Sequence, residues 1–503
     1  MNWKKMGQNS ITLMFVIIVS KLIGMFRDIV LANYFGTTNI SDAYLIASSV
    51  PVLLFYFIGH SLATAYIPMY NRVKVEKGVD GAQRYSNNLL NISFLLSTLI
   101  VIALLLCPDI AVKLFAVGFD AETAQIAARL IRISAPSIYL MTIVQICGGF
   151  LNANKSFLAP AAISLPRNAA IVVSVVLAAS LGTDILGWGL LASYILEFLF
   201  LMPFVFKKGY RYKPVITLKD ENIKETLYVV TPILIGMCVG QVNKIVDRSM
   251  ASMVVEGGIS ALSYASIINN AVQEVLVTGI ITILFASCSE LVAKNEHEKV
   301  KKKILSTINT MIFLLVPASI GVIVLAEPLV SLVLCRGSFD GNSLKMTVGA
   351  LRCYTVGLLF LAIRDTLVKV FYAYKQTKTT TITSTISILI NIVLNIVLSK
   401  IIGINGLAIS TSISAIFNCI ALYILLRKKI GDFGTKKSLH ILIKCLIGSV
   451  IMGAAVYYSN IYFGGQLNEI LGFIISVFAG CIVYFAIEIP LCYKDIIKPI
   501  IKK

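Results

Sequence analysis

Two short stretches of this sequence put charge where hydrocarbon should be. Ser20-Lys21-Leu22-Ile23-Gly24-Met25-Phe26-Arg27-Asp28 interrupts the first apolar run, and Lys244, Asp247 and Arg248 lie near the end of the seventh. Lys244 and Arg248 stand at i and i+4, so a helix puts them on one face. A charge at membrane depth costs a few kcal/mol or more, so it meets a wet cavity or a partner rather than lipid. The partner reading pairs Arg27 with Asp28 or Asp42, Arg248 with Asp247, and Arg364 with Asp365. The cavity reading is the stronger one for Lys21, Arg27, Lys244 and Arg248, because each stands in an otherwise apolar stretch. Further charges fall inside apolar runs at Arg129, Arg132, Arg167, Glu197, Glu274, Arg352, Lys369 and Lys444. An excess of cations over carboxylates suits a phosphate-bearing ligand, which arginine grips bidentately and lysine meets as a point charge. A diphosphate headgroup cannot cross hydrocarbon unaided, so such a cavity is what a flippase for that lipid needs. An exporter of cationic drugs would want the opposite charge.

A neutral constellation accompanies these. Asn391 and Asn395 share a helix face at i and i+4, with Thr411 on the next segment. Two readings stand: amides gluing helices together, or oxygen ligands for a cation such as Na+.

These residues need a membrane frame, and composition supplies one. The chain has 503 residues, 57% hydrophobic and 14% charged, with mean hydropathy +0.86. A soluble protein of that size could not hide so much apolar surface. Runs long enough to span, at roughly 20 residues each, fall near 9–34, 42–70, 86–107, 122–149, 157–182, 186–206, 224–248, 259–289, 304–325, 346–374, 380–400, 405–426, 439–459 and 468–492. The expectation is an all-α polytopic membrane protein of about fourteen transmembrane helices, with a retained first helix rather than a cleaved leader.

The net charge of +19 follows from topology. Basic residues crowd alternate loops, such as Arg72 to Arg84, Lys207 to Lys224, Lys294 to Lys303 and Arg427 to Lys437. The intervening loops hold only Lys113, Arg336, Lys345 and Lys400. This is the positive-inside pattern, which places both termini in the cytoplasm and argues against nucleic acid as a partner. The cysteines form no C-x-x-C pair and read as small buried hydrophobes. No nucleophile–base set, acidic metal cluster or Gly-rich phosphate loop emerges, so the expectation is not an enzyme.

An internal repeat aligns Asn154-Lys155 with Thr377-Lys378, and Gly189-Leu-Leu-Ala-Ser193 with Gly406-Leu-Ala-Ile-Ser410. The basic loops fall on the same side, so the repeats are parallel. Two pseudo-symmetric six-helix lobes, 1–215 and 216–430, are expected, with two C-terminal helices over 431–503. Such repeats place substrate at their interface near the midplane.

At these same residues the chain resembles the bacterial lipid II flippase family, MurJ/MviN, of the multidrug/oligosaccharidyl-lipid/polysaccharide exporter superfamily. The resemblance covers nearly the whole chain. It runs through Ser20-Lys21 to Arg27-Asp28 and on to Gly36, Ser41-Asp42-Ala43-Tyr44 and Pro51. It continues with Ile245-Val246-Asp247-Arg248, Ile259 to Ala265, Arg336-Gly337-Ser338-Phe339, Phe371-Tyr372-Ala373, Thr377-Lys378-Thr379 and Asn391 to Asn395. It implies two lobes around a cavity lined by helices 1, 2, 7 and 8, with a groove at helices 13 and 14 for an undecaprenyl tail. Arg27 and Arg248 match the family's cavity arginines, Lys21 stands for a common arginine, and Asp42 matches the helix 2 acid. Asp247, Asn391, Asn395 and Thr411 match positions that hold Na+ in some members. The chain departs from the pattern after Pro51, where Phe55 and Tyr56 stand in place of paired arginines and the stretch to Gly59-His60 lacks the glutamate that follows them in many members. Either Lys21 and His60 compensate, or the substrate differs.

The resulting expectation is a flippase moving undecaprenyl-diphosphate-linked peptidoglycan precursor, lipid II, across the bacterial cytoplasmic membrane by alternating access. The alternatives are a flippase for another polyprenyl-diphosphate-linked glycan, such as a capsule or exopolysaccharide unit, and a non-transporting envelope-assembly scaffold. The implied partners are the glycan lipid, membrane lipids and the cell-wall synthesis machinery.

Overall fold

Hydrocarbon offers no hydrogen bonds, so a spanning segment must satisfy its own backbone, and the long apolar runs here do so as α-helices. The computed structural model describes residues 3–217, 219–464 and 468–492, apart from the side chains of 3–11, 56–58, 60–64, 227 and 229–239. The described residues form helices and no strand. They divide into two compact units, Met1–Ser260 and Ala261–Lys503.

The first unit holds α1 (Trp3–Phe35), α2 (Asn39–Leu106), α3 (Pro108–Phe115), α4 (Ala121–Ser134), α5 (Ser137–Ala153), α6 (Leu158–Ala162), α7 (Ser164–Leu181), α8 (Asp184–Lys207) and α9 (Glu221–Val254). The start of α10 (Gly258–Ala293) also belongs to it. The second unit holds the rest of α10, then α11 (His297–Val324), α12 (Ala326–Leu334), α13 (Gly341–Val356), α14 (Leu358–Ala373), α15 (Thr377–Ile402), α16 (Ile404–Ile430), α17 (Thr435–Gly464) and α18 (Glu469–Cys492).

Among the described residues, nine helices are long and apolar enough to cross a membrane. Two pairs, α4 with α5 bent at 48° and α13 with α14 bent at 46°, are long and apolar enough together, which makes eleven if each pair is one span. The remaining expected passes are the charge-bearing α1 and α9 and the first, shorter part of α2. Two expected helices, near 42–70 and 86–107, run together as α2, which changes direction at Gly78 (φ +71°). Left-handed backbone is cheap only for glycine, and that break turns one long helix into two passes.

The repeat is clearer in the structure than in the sequence, and its register differs from the one read there. Asp120 caps α4 by accepting the Thr123 N–H, and Asp340 caps α13 by accepting the Ser343 N–H, at 3.0 and 2.8 Å. Arg132 donates to the Leu105 carbonyl and Arg352 to the Ile323 carbonyl, each at 3.2 Å, closing the end of the preceding span. Lys155 and Lys375 both turn through positive φ, at 59° and 56°. The same spacing separates each pair, so Lys155 corresponds to Lys375 rather than to Lys378. Sequence similarity had followed the loop composition; the turn geometry fixes the true register. The short helices α3 and α12 also correspond, and both were too brief to stand out as periodic segments.

Aromatic packing holds the first unit together. Tyr66 stacks on Tyr70 and Tyr85 at 5.6 and 6.1 Å, and Phe150 meets Tyr70 and Tyr210 edge-on at 5.7 and 5.0 Å. The buried hydroxyls find partners: Tyr66 with Ser86 and Tyr85 with Thr226. The second unit packs Ile304, Ile308, Met311 and Leu315 of α11 with Leu367 and Val370 of α14 and Ile441 and Val456 of α17.

Candidate functional site

In the first unit the helix 1 charges are built into a polar network. Arg27 Nε and Nη2 donate to Asp28 Oδ1 at 2.9 and 2.7 Å, and Nη1 donates to Asn168 Oδ1 of α7 at 3.1 Å. Beside it, Arg167 of α7 stands 3.3 Å from Glu197 of α8 and lies over the Tyr194 ring at 5.9 Å. Tyr44 of α2 and Tyr194 are within electrostatic reach of both arginines. Glu197 is 4% exposed while Arg167 is 33% exposed, so the pair is asymmetric: the acid is locked in and the base reaches out.

Neither Asn168 nor the two tyrosines was legible as a site member. Arg167 and Glu197 were visible as intramembrane charges, and their pairing could have been read from one lone cation and one lone acid on consecutive apolar segments.

Lys244 is exposed and Arg248 half-buried on α9, on one face as expected from their spacing. Arg248 Nη1 donates to the Leu45 carbonyl of α2 at 3.4 Å, and Asp247 lies within its electrostatic reach. Asp247 also accepts from Asn243 Nδ2 at 3.0 Å. Lys21 is exposed on α1. In the stretches 20–28 of α1 and 244–248 of α9, the cations Lys21, Arg27, Lys244 and Arg248 outnumber the carboxylates Asp28 and Asp247.

Asp42 meets backbone donors. It is 2% exposed, and its carboxylate accepts the N–H groups of Ser260 at 2.7 Å and Ile259 at 3.4 Å, in the first turn of α10. A carboxylate at a helix N-terminus satisfies orphan donors and meets the positive end of the helix dipole. Its negative charge is therefore held by backbone. The neighbouring Gly257 has φ +75°, and a Cβ there would run into the Thr37 carbonyl. Where the family pattern has arginine, Phe55 is buried with its ring filling the space that a side chain at Gly59 would need. The side chains of Tyr56 and His60 lie outside the described residues.

In the second unit Arg364 donates Nε and Nη2 to Asp365 Oδ1 at 3.0 and 2.7 Å, and Gln273 donates to Asp365 Oδ2 at 3.0 Å. That is the charge-paired reading, complete within the unit. Asn391 and Asn395 are buried and joined, Asn395 Nδ2 donating to Asn391 Oδ1 at 3.2 Å, while the Thr411 hydroxyl donates to the Leu407 carbonyl at 3.2 Å. These three offer neutral oxygens only, and Asp247 belongs to the first unit. An apolar cavity of about 400 Å³ opens along α11, α17 and α18, lined among others by Phe313, Pro317, Met452, Val456, Phe473 and Tyr484.

An all-helical multi-pass chain with repeat-related halves and charge inside its spans is a membrane transporter in architecture. A solved inward-facing multidrug resistance MATE family transporter of the MOP superfamily shares the fold at TM-score 0.72 and 15% identity, covering 85% of this chain and 99% of that one. Residues 31–478 match the family described as Lipid II flippase MurJ, and the chain belongs to that family. A solved lipid II flippase MurJ in the inward closed conformation aligns at TM-score 0.84 and 27% identity, over 96% of this chain and 99% of that one. The probable lipid II flippase MurJ of Haemophilus influenzae is 27% identical, covering 88% of this chain and 90% of its own. The lipid II flippase MurJ of Thermosipho africanus is 28% identical, with 95% of each chain covered.

Proposed function

We propose that this protein flips lipid II, a polyprenyl-diphosphate-linked peptidoglycan precursor, across the bacterial cytoplasmic membrane by alternating access, with both termini in the cytoplasm. The observation that carries the reading is chain-long agreement with lipid II flippases, at 96% and 99% coverage of the two chains compared. The charge placement supports it: four cations against two carboxylates in the stretches 20–28 of α1 and 244–248 of α9 favour a diphosphate, and Lys244 with Arg248 present adjacent donors to it. The apolar cavity along α11, α17 and α18 suits part of a polyprenyl tail, which gains about 0.8 kcal/mol per CH₂ removed from water and needs no polar partner. The protein's task on this reading is transport rather than catalysis: it lowers the cost of carrying charge through hydrocarbon and makes or breaks no covalent bond.

The bias comes from the membrane potential or an ion gradient. A unit charge moved through 100 mV is worth about 2.3 kcal/mol. We propose Na+ as the coupling ion, with Asn391, Asn395 and Thr411 as its candidate oxygen donors in the second unit.

A second reading keeps the mechanism and changes the headgroup. Phe55 buried at a position expected to carry arginine favours another polyprenyl-diphosphate glycan. Expression in a strain depleted of its own lipid II flippase separates the two. Restored growth supports lipid II as cargo. A well-expressed protein that leaves the strain inviable moves the assignment to a different glycan lipid or to the scaffold role.

A further inference from the structure

Three residues outside the cation network converge between the last two helices. Glu488 and Cys492 lie at i and i+4 on α18, and Cys445 faces them from α17. Their ligand atoms all lie within 4.8 Å of one another, and all three side chains are buried, each at 0% exposure. Cys492 Sγ is 3.2 Å and Cys445 Sγ 3.9 Å from Glu488 Oε2. The other carboxylate oxygen, Oε1, is buried with no hydrogen-bond partner. Gly448 is what admits it: a Cβ there would collide with Oε1.

This arrangement is a poor way to bury an acid and a good way to hold a metal. A fully buried carboxylate needs a counter-charge or strong donors, and thiols are weak donors. A tetrahedral zinc ion, with bonds of about 2.3 Å to sulfur and 2.0–2.2 Å to oxygen, sets its ligand atoms about 3.5–3.8 Å apart. The two sulfur–oxygen distances bracket that range. Two thiolates and a carboxylate around a divalent ion leave one net negative charge. Lys444 stands beside the cluster to balance it, its Nζ donating to the Leu491 carbonyl at 3.2 Å.

We propose that Cys445, Glu488 and Cys492 form a binding site for a thiophilic divalent metal ion, Zn2+ in the cell, which clamps α17 to α18. Binding displaces the two thiol protons to solvent and leaves both sulfurs as thiolates. Because α17 and α18 also line the apolar cavity, the clamp fixes the spacing of its walls.

Co2+ is the probe, used on the full chain purified in detergent and stripped with chelator. The wild type takes up about one equivalent with thiolate-to-cobalt charge-transfer absorption, and Zn2+ bleaches that band. Cys445→Ser and Cys492→Ser abolish it, Glu488→Gln weakens affinity at least about tenfold, and Cys147→Ser leaves it unchanged. Absence of the band in monodisperse wild type, or its persistence in Cys445→Ser, overturns the proposal. Should the serine variants aggregate, alkylation of wild type decides. Zn2+ must shield Cys445 and Cys492 from maleimide, read peptide by peptide, and equal labelling with and without Zn2+ overturns the site.

Discussion

Single residues carry unequal weight within one ion pair. Removing Arg167 strands Glu197, which is 4% exposed, whereas removing Glu197 leaves an arginine already 33% exposed. Breaking a buried pair from the side that strands the buried charge costs about 3–5 kcal/mol, while an exposed partner's loss costs about 1 kcal/mol or less. Arg167→Ala is therefore expected to lower the thermal midpoint in detergent clearly more than Glu197→Ala. Equal effects would show that the pair does not act as drawn.

A second residue-scale prediction concerns Asp340, in the loop before α13. The Ser343 backbone N–H and then its hydroxyl, at 2.8 and 2.7 Å, hold this carboxyl below the usual carboxylate range. A group with a depressed folded pKa contributes stability above its unfolded value, about 4, and loses it as pH falls through the folded value. Asp340→Ala should cost about 1 kcal/mol at pH 7. The gap between variant and wild type should begin to narrow as pH falls below about 4 and go on narrowing down to the lower folded value. A gap that stays constant from pH 7 down through the acid range would contradict the capping account.

At the scale of elements, a ladder of asparagines on α2 holds down the chain between α8 and α9. Asn87 donates to the Arg211 carbonyl, Asn91 to the Val215 carbonyl, and Asn88 both donates to the Thr217 carbonyl and accepts its N–H, at 2.7–3.0 Å. Residues 211–217 make no regular structure of their own, so these bonds replace a backbone ladder. Asn88→Ala removes two of them, and limited proteolysis between Tyr210 and Lys219 should accelerate severalfold. Unchanged cleavage would mean the strap is held elsewhere. The same scale shows what sequence could and could not deliver. Hydropathy announced the passes because a span's length and composition are set by the bilayer. The join of two passes into α2 at Gly78 and the bends between α4 and α5 and between α13 and α14 depend on single backbone angles, which composition does not encode.

For the whole molecule, the charged stretches of α1 and α9 were legible because ionised groups are rare in hydrocarbon. Their partners were not. Arg27 meets Asn168, far away in sequence, and Asp42 accepts from the start of α10. Pairing across distant segments is a property of the fold, and only the lone-charge signal of Arg167 and Glu197 hinted at it. What survives from sequence to structure is a surplus of cation on α1 and α9, and that surplus supports the proposed function. The direct test is flipping of a diphosphate-linked lipid by purified protein in liposomes, comparing wild type with the Lys244→Ala/Arg248→Ala double variant at equal reconstitution and equal thermal midpoint. Loss of charge-assisted contacts worth about 1.5–3 kcal/mol predicts a rate lowered at least about tenfold. A folded double variant that flips at the wild-type rate would contradict the account.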